Sequence, residues 1–141
     1  MRIADVLRSK GSGVATVVAS ATVAELIAEL AAHNVGALPV IDGERLVGIV
    51  SERDVVRRLD AGGPQLLAAT VGDIMTTDVT TCSPEDSVAD LAAIMTARRF
   101  RHLPVVVGGR LAGIVSIGDL VKARIDLLES ERAQLQSYIA G

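Results

Sequence analysis

Two stretches decide the reading of this chain: Ala37-Leu38-Pro39-Val40-Ile41-Asp42-Gly43-Glu44-Arg45-Leu46-Val47-Gly48-Ile49-Val50-Ser51 and His102-Leu103-Pro104-Val105-Val106-Val107-Gly108-Gly109-Arg110-Leu111-Ala112-Gly113-Ile114-Val115-Ser116. In each, two apolar runs flank a short pair, Asp42-Gly43 or Gly108-Gly109. Runs rich in Val, Ile and Leu read as strands, and such pairs favour the positive backbone angles of a tight hairpin turn. Displacing the chain by 65 positions lays Val14 to Val56 on Val79 to Val121 without a gap, and 19 of the 43 pairs are identical. The chain is one unit written twice.

The flanks complete the unit. Thr16-Val17-Val18 and Thr80-Thr81-Cys82 read as short strands from their β-branched content. A helix follows each, with an apolar stripe at three-to-four spacing: Val23, Leu26, Ile27 and Leu30, then Val88, Leu91, Ile94 and Met95. After each hairpin, Ser51 and Ser116 mark the start of a second helix, with Asp54 and Asp119 three residues on. The expected unit is strand, helix, strand, strand, helix, an α/β (α+β) fold. Asp5-Val6-Leu7 is echoed by Asp73-Ile74-Met75, and Asp60 to Ala69, with Gly62-Gly63-Pro64, reads as the connection between copies. This divides the chain into a first repeat, 1–69, a second, 70–125, and a C-terminal helical extension, 126–141. The stripe of Leu120, Leu127, Leu128, Leu135 and Ile139 continues the last helix and has spare surface to bury.

Composition narrows the function. Half of the 141 residues are hydrophobic, but only 1% are aromatic, so the core is built from aliphatic side chains. A net charge of −3 supplies no basic field for nucleic acid. The most apolar long stretch, Val14 to Ala32, is interrupted by Glu25 and Glu29 and is too polar for a bilayer span. The first residues lack the continuous apolar core of a signal peptide, so a cytoplasmic protein is expected. Cys82 is a lone cysteine, best read as a small buried apolar group, and His33 and His102 have no companions at metal-ligand spacing. No nucleophile lies beside a base and there is no P-loop, so neither a catalytic residue nor a metal is assigned.

Leu-Pro-Val, a Gly-hinged hairpin and Gly-Ile-Val-Ser-x-x-Asp, repeated in tandem, resemble a pair of CBS domains over nearly the whole chain. The resemblance implies two pseudo-symmetric repeats packed sheet to sheet, with two clefts that take AMP, ADP or ATP, and sometimes S-adenosylmethionine or a dinucleotide; no cofactor is expected. It implies that Asp54 and Asp119 hold ribose hydroxyls, and that Ser51 and Ser116 lie near phosphate. Because such clefts are composite, the one of Asp54 is expected to combine Ile49, Ser51 and Arg53 with Ser83, Val88, Phe100, Arg101 and His102. The mirror cleft is expected to combine Ile114, Ser116 and Asp119 with Val18, Val23, Val35 and Gly36. Phe100, Arg101 and His102 have small counterparts, Val35, Gly36 and Ala37, so the cleft of Asp54 is the better furnished.

Ser-x-x-Asp before an apolar helix is also a capping box, so the same residues fit an interaction or dimerisation module without ligand. Either way a homodimer is expected from the unburied C-terminal stripe. The partner that such a module would regulate is not encoded in the chain.

Overall fold

The computed structural model describes residues 1–11 and 13–140; Gly141, the last residue of the extension, and Ser12 lie outside the described residues. The elements run α1 (Ile3–Lys10), α2 (Val23–His33), β1 (Ala37–Asp42), β2 (Arg45–Ser51), α3 (Glu52–Gly62), a 3-10 segment (Gly63–Ala68), α4 (Val71–Ile74), α5 (Val88–Arg98), β3 (His102–Val107), β4 (Arg110–Ser116) and α6 (Ile117–Ala140). Both hairpins are antiparallel, and they join in one four-stranded sheet of order β1-β2-β4-β3 through the single pair Arg45 and Arg110.

The two hairpin turns are two residues long and sit at equivalent positions, so the first lies one residue beyond the expected Asp42-Gly43. In the second, Gly108 and Gly109 have φ 59° and 81°, the two positive angles of a type I′ turn. In the first, Asp42 is still in the strand, and the turn is Gly43-Glu44 with φ 64° at Gly43. The expected strands at Thr16–Val18 and Thr80–Cys82 shrink to single parallel bridges, Val17 with Val40 and Cys82 with Val105. Val17 N donates to Pro39 O at 3.1 Å, and Cys82 N donates to Pro104 O at 3.0 Å. In a strand a residue's N–H and C=O point the same way, so the missing donor of each proline faces the outer edge, where little pairing is lost.

Thr22 and Ser87 cap α2 and α5 by accepting from Glu25 N and Asp90 N. Asn34 and Arg99 end those helices in the left-handed conformation, at φ 52° and 59°. The sequence between the repeats is no open linker, because α3 runs to Gly62 and passes into the 3-10 segment, whose Leu66 is buried.

Two aliphatic cores lie under the sheet, and neither is collinear with its repeat. Val71 and Ile74 of α4 join Val17, Val23, Leu26, Leu38, Val40 and Val50. Ile3 and Val6 of α1 join Cys82, Val88, Leu91, Met95, Leu103, Val105, Val115 and Leu120. Each short helix before a repeat therefore completes the core of the other. The division at 69/70 separates the two sequence copies but cuts across both cores.

Candidate functional site

Each hairpin delivers its last strand to the start of a helix, and that junction is built alike in both repeats. Ser51 N donates to Asp54 Oδ2 at 2.8 Å, Ser51 Oγ donates to the same oxygen at 3.1 Å, and Asp54 N donates to Ser51 Oγ at 3.3 Å. In the second repeat Ser116 N donates to Asp119 Oδ2 at 2.9 Å, and Asp119 N donates to Ser116 Oγ at 3.1 Å. These are the reciprocal bonds of a capping box, and they fix both carboxyls at the rim of the sheet.

Around the first junction, residues from both repeats enclose a cavity of about 230 Å³. Ile49, Ser51, Arg53 and Asp54 line it together with Phe100, Arg101 and His102, so seven residues expected in this cleft do meet. Gly36, Ala37, Glu52, Thr76 and Arg99 complete the wall. The two segments before β1 and β3 are tied down in the same way: Glu52 N donates to Gly36 O, and Ile117 N donates to Arg101 O, both at 2.9 Å. Gly36 is where they approach, since a Cβ there would stand 3.3 Å from Glu52 Oε1 and 3.6 Å from His102 Cε1. The left-handed Arg99 turns the chain out of α5 and lets Phe100, Arg101 and His102 follow along the wall. Phe100 is half-buried and also packs on the second core, which restricts how much of its ring faces the cavity.

Other expected wall residues lie elsewhere. Val88 and Val23 are buried in the two cores, because the first residue of each long helix belongs to its apolar stripe. Ser83 forms a local turn, with its N–H donating to Asp86 Oδ2 and its Oγ accepting from Glu85 N. Val18 and Val35 are exposed, and Gly36 faces the cavity of Asp54, so the mirror wall does not assemble as expected.

Ala37, Glu52, Thr76 and Arg99 line the cavity without being expected there, and of these Thr76 comes from the segment after α4. Ile49 N donates to Thr76 O and Thr76 N donates to Ile49 O, both at 2.9 Å. The signal was present, since Thr76 directly follows the Asp73-Ile74-Met75 echo, but that echo does not say against which strand the segment lies.

The second junction is electrostatically different. Lys10 Nζ donates to Asp119 Oδ2 at 2.7 Å and to Ile114 O at 2.9 Å. Burial alone would raise the Asp119 carboxyl, but the Lys10 ammonium and the Ser116 donors outweigh it and hold it below its ordinary value. His102 is held below the usual imidazole value, first by burial and against the opposing pull of Asp119. Among the described residues no group of three or more His, Cys, Asp or Glu converges as a metal site, and no helix is long and apolar enough to cross a membrane.

The family model described as "CBS domain" matches residues 3–61 and 71–126. The Arabidopsis thaliana protein "CBS domain-containing protein CBSX3, mitochondrial" is 36% identical over 148 residues, covering 99% of this chain and 72% of that protein. Its name places it in a compartment other than the cytoplasm expected from the sequence. The crystal structure of the CBS-domain containing protein ATU1752 from Agrobacterium tumefaciens superposes with a TM-score of 0.83 at 42% identity, covering 88% of this chain and 99% of that one. CBSX2, crystallised in complex with AMP, gives a TM-score of 0.75 at 29% identity, covering 89% of this chain and 97% of that one. Two matched repeats over most of the length, on a fold shared with these proteins, make this chain a member of the CBS domain family.

Proposed function

We propose that the chain is a non-catalytic regulatory module that takes an adenine nucleotide in the cavity between Asp54 and the segment Phe100 to His102. The observation that carries the reading is that Ile49, Ser51 and Asp54 share one cavity with residues of the other repeat. An adenine then lies against Ile49 and Phe100, and the ribose hydroxyls donate to Asp54. Oδ2 already accepts from Ser51, but a carboxylate has about four lone-pair sites, so capping and sugar binding are compatible. Arg53, Arg99 and Arg101 supply fixed positive charge for the phosphate end. The cavity, about 230 Å³, is smaller than the roughly 300–1,000 Å³ common for ligand pockets, which favours the nucleoside inside and the phosphates at the mouth. The AMP complex of CBSX2 supports this ligand class. S-adenosylmethionine, which shares adenine and ribose, is the competing ligand.

A second reading, an interaction module without ligand, is favoured by one feature. Val121, Ile125, Leu128, Leu135, Tyr138 and Ile139 stand exposed on α6. In our reading this surface pairs two copies in a homodimer, and the nucleotide modulates how the assembly meets a regulated partner. Native mass spectrometry of the purified protein, alone and with AMP, ATP or S-adenosylmethionine, tests the reading. A mass increment of one nucleotide on each chain is expected, and a bare dimer at saturating nucleotide would leave the interaction module in its place.

A further inference from the structure

We propose that Lys10 closes the second cleft, so that each chain takes one nucleotide and not two; the inference rests on the nucleotide reading of the first cleft. At the 65-residue offset, Ile49, Ser51 and Asp54 correspond to Ile114, Ser116 and Asp119. In the first repeat Ile49 and Asp54 line one cavity. In the second, Ile114 lines a hollow of about 400 Å³ beside Leu7 and Arg8, whereas Asp119 lines a different one of about 200 Å³ beside Val6 and Ser9. Lys10 lines both.

The side chain of Lys10 is thus the partition. Its ammonium spans from Asp119 Oδ2, at 2.7 Å, to Ile114 O, at 2.9 Å. Those groups correspond to the ones that hold the sugar and base in the first cleft, so a nucleoside cannot bridge them until Lys10 moves. The contact is partly shielded, with side-chain exposures of 36% and 25% for Lys10 and Asp119. Among the described residues Asp54 has no salt-bridge partner corresponding to Lys10. At the 68-residue offset that aligns Asp5-Val6-Leu7 with Asp73-Ile74-Met75, the counterpart of Lys10 is Asp78, a residue of opposite charge that does not line the cavity of Asp54. Asp78 is exposed. A lysine in one leader and an aspartate in the other add to the differences between the two clefts.

The test is titration calorimetry with AMP, and with ATP and S-adenosylmethionine in parallel, on the parent and on Lys10→Met, which keeps chain length and removes the ammonium. Lys10→Gln is run beside it, so that unfolding of one variant leaves the other to decide. The expected stoichiometry is one per chain for the parent and two for the variants, with the second site lost again when Asp119→Ala is added. Two sites in the parent, or one in both parent and variants, overturn the role of Lys10 while the first cleft stands. No binding by the parent but one site in the variants overturns the reading of the first cleft and upholds Lys10. No binding by any of them overturns both.

Discussion

Ile49 and Thr76 exchange both backbone hydrogen bonds at 2.9 Å, which lays the segment after α4 directly against β2 and makes it a wall of the cavity. Gly48 permits this approach, because a Cβ there would stand 2.8 Å from Met75 Sδ and 2.9 Å from Thr76 O. In the second repeat the three atoms nearest to a Cβ on Gly113 would all belong to the Leu7 side chain, the nearest methyl at 2.7 Å. A backbone oxygen fixed in a bridge cannot withdraw as a leucine methyl can. Gly48→Ala should therefore cost about 1–3 kcal/mol in urea unfolding, with Gly113→Ala costing less. Equal effects would show that the approach of Thr76 is not the constraint.

The crossed leaders make a second prediction. Ile3 is fully buried among residues of the second repeat, 79 or more positions away in sequence. Ile3→Ala should destabilise the whole chain by about 2–5 kcal/mol, as expected of a large-to-small change in a core. The measurement is chemical denaturation. A loss under 1 kcal/mol would mean that α1 is not part of that core.

Acid stability should depend on Lys10. The folded Asp119 carboxyl lies below its ordinary 3.8, so at acid pH the unfolded chain takes up this proton first. The stabilisation is complete above that ordinary value and is lost as the pH falls from it through the lower folded value. Asp5 and Asp73 are also lowered, chiefly by the backbone N–H of Arg2 and of Thr70, and neither depends on Lys10. Unfolding midpoints between about pH 2 and 6 should fall more gently in Lys10→Met than in the parent. Superimposable acid limbs would remove the Lys10 contribution.

Cys82 is buried, and this desolvation, assisted by Asp86, pushes its thiol up to about 12. The thiolate is the nucleophile, so the folded protein should resist a disulfide-exchange reagent at neutral pH and react fully once denaturant is added. Rapid stoichiometric labelling of the folded chain would contradict this placement.

The hairpins and the duplicated Ser-x-x-Asp junctions were legible because turn glycines and helix caps act locally, and a gapless repeat exposes them twice. Thr16–Val18 was over-read, since β-branched content favours extended backbone, while here only Val17 has a ladder partner. Which core α1 and α4 enter was not legible, because the apolar pattern of Ile3 and Val6 says that they are buried but not against what. Val23 and Val88 were misplaced for a related reason: position in the repeat is conveyed by the sequence, whereas the direction of a side chain into core or cleft depends on helix phase. Lys10 could not be found at all, because its partner Asp119 is 109 residues away and no local pattern joins them.

The most direct measurement is titration calorimetry of AMP into the parent, Asp54→Ala and Asp119→Ala, each first checked for folding, since losing a capping carboxylate can itself cost about 1 kcal/mol of stability. The account predicts saturable binding by the parent, weakened at least tenfold, about 1.4 kcal/mol, by Asp54→Ala and less by Asp119→Ala. Equal losses in the two variants, or no heat from the folded parent with AMP, ATP or S-adenosylmethionine, would contradict it.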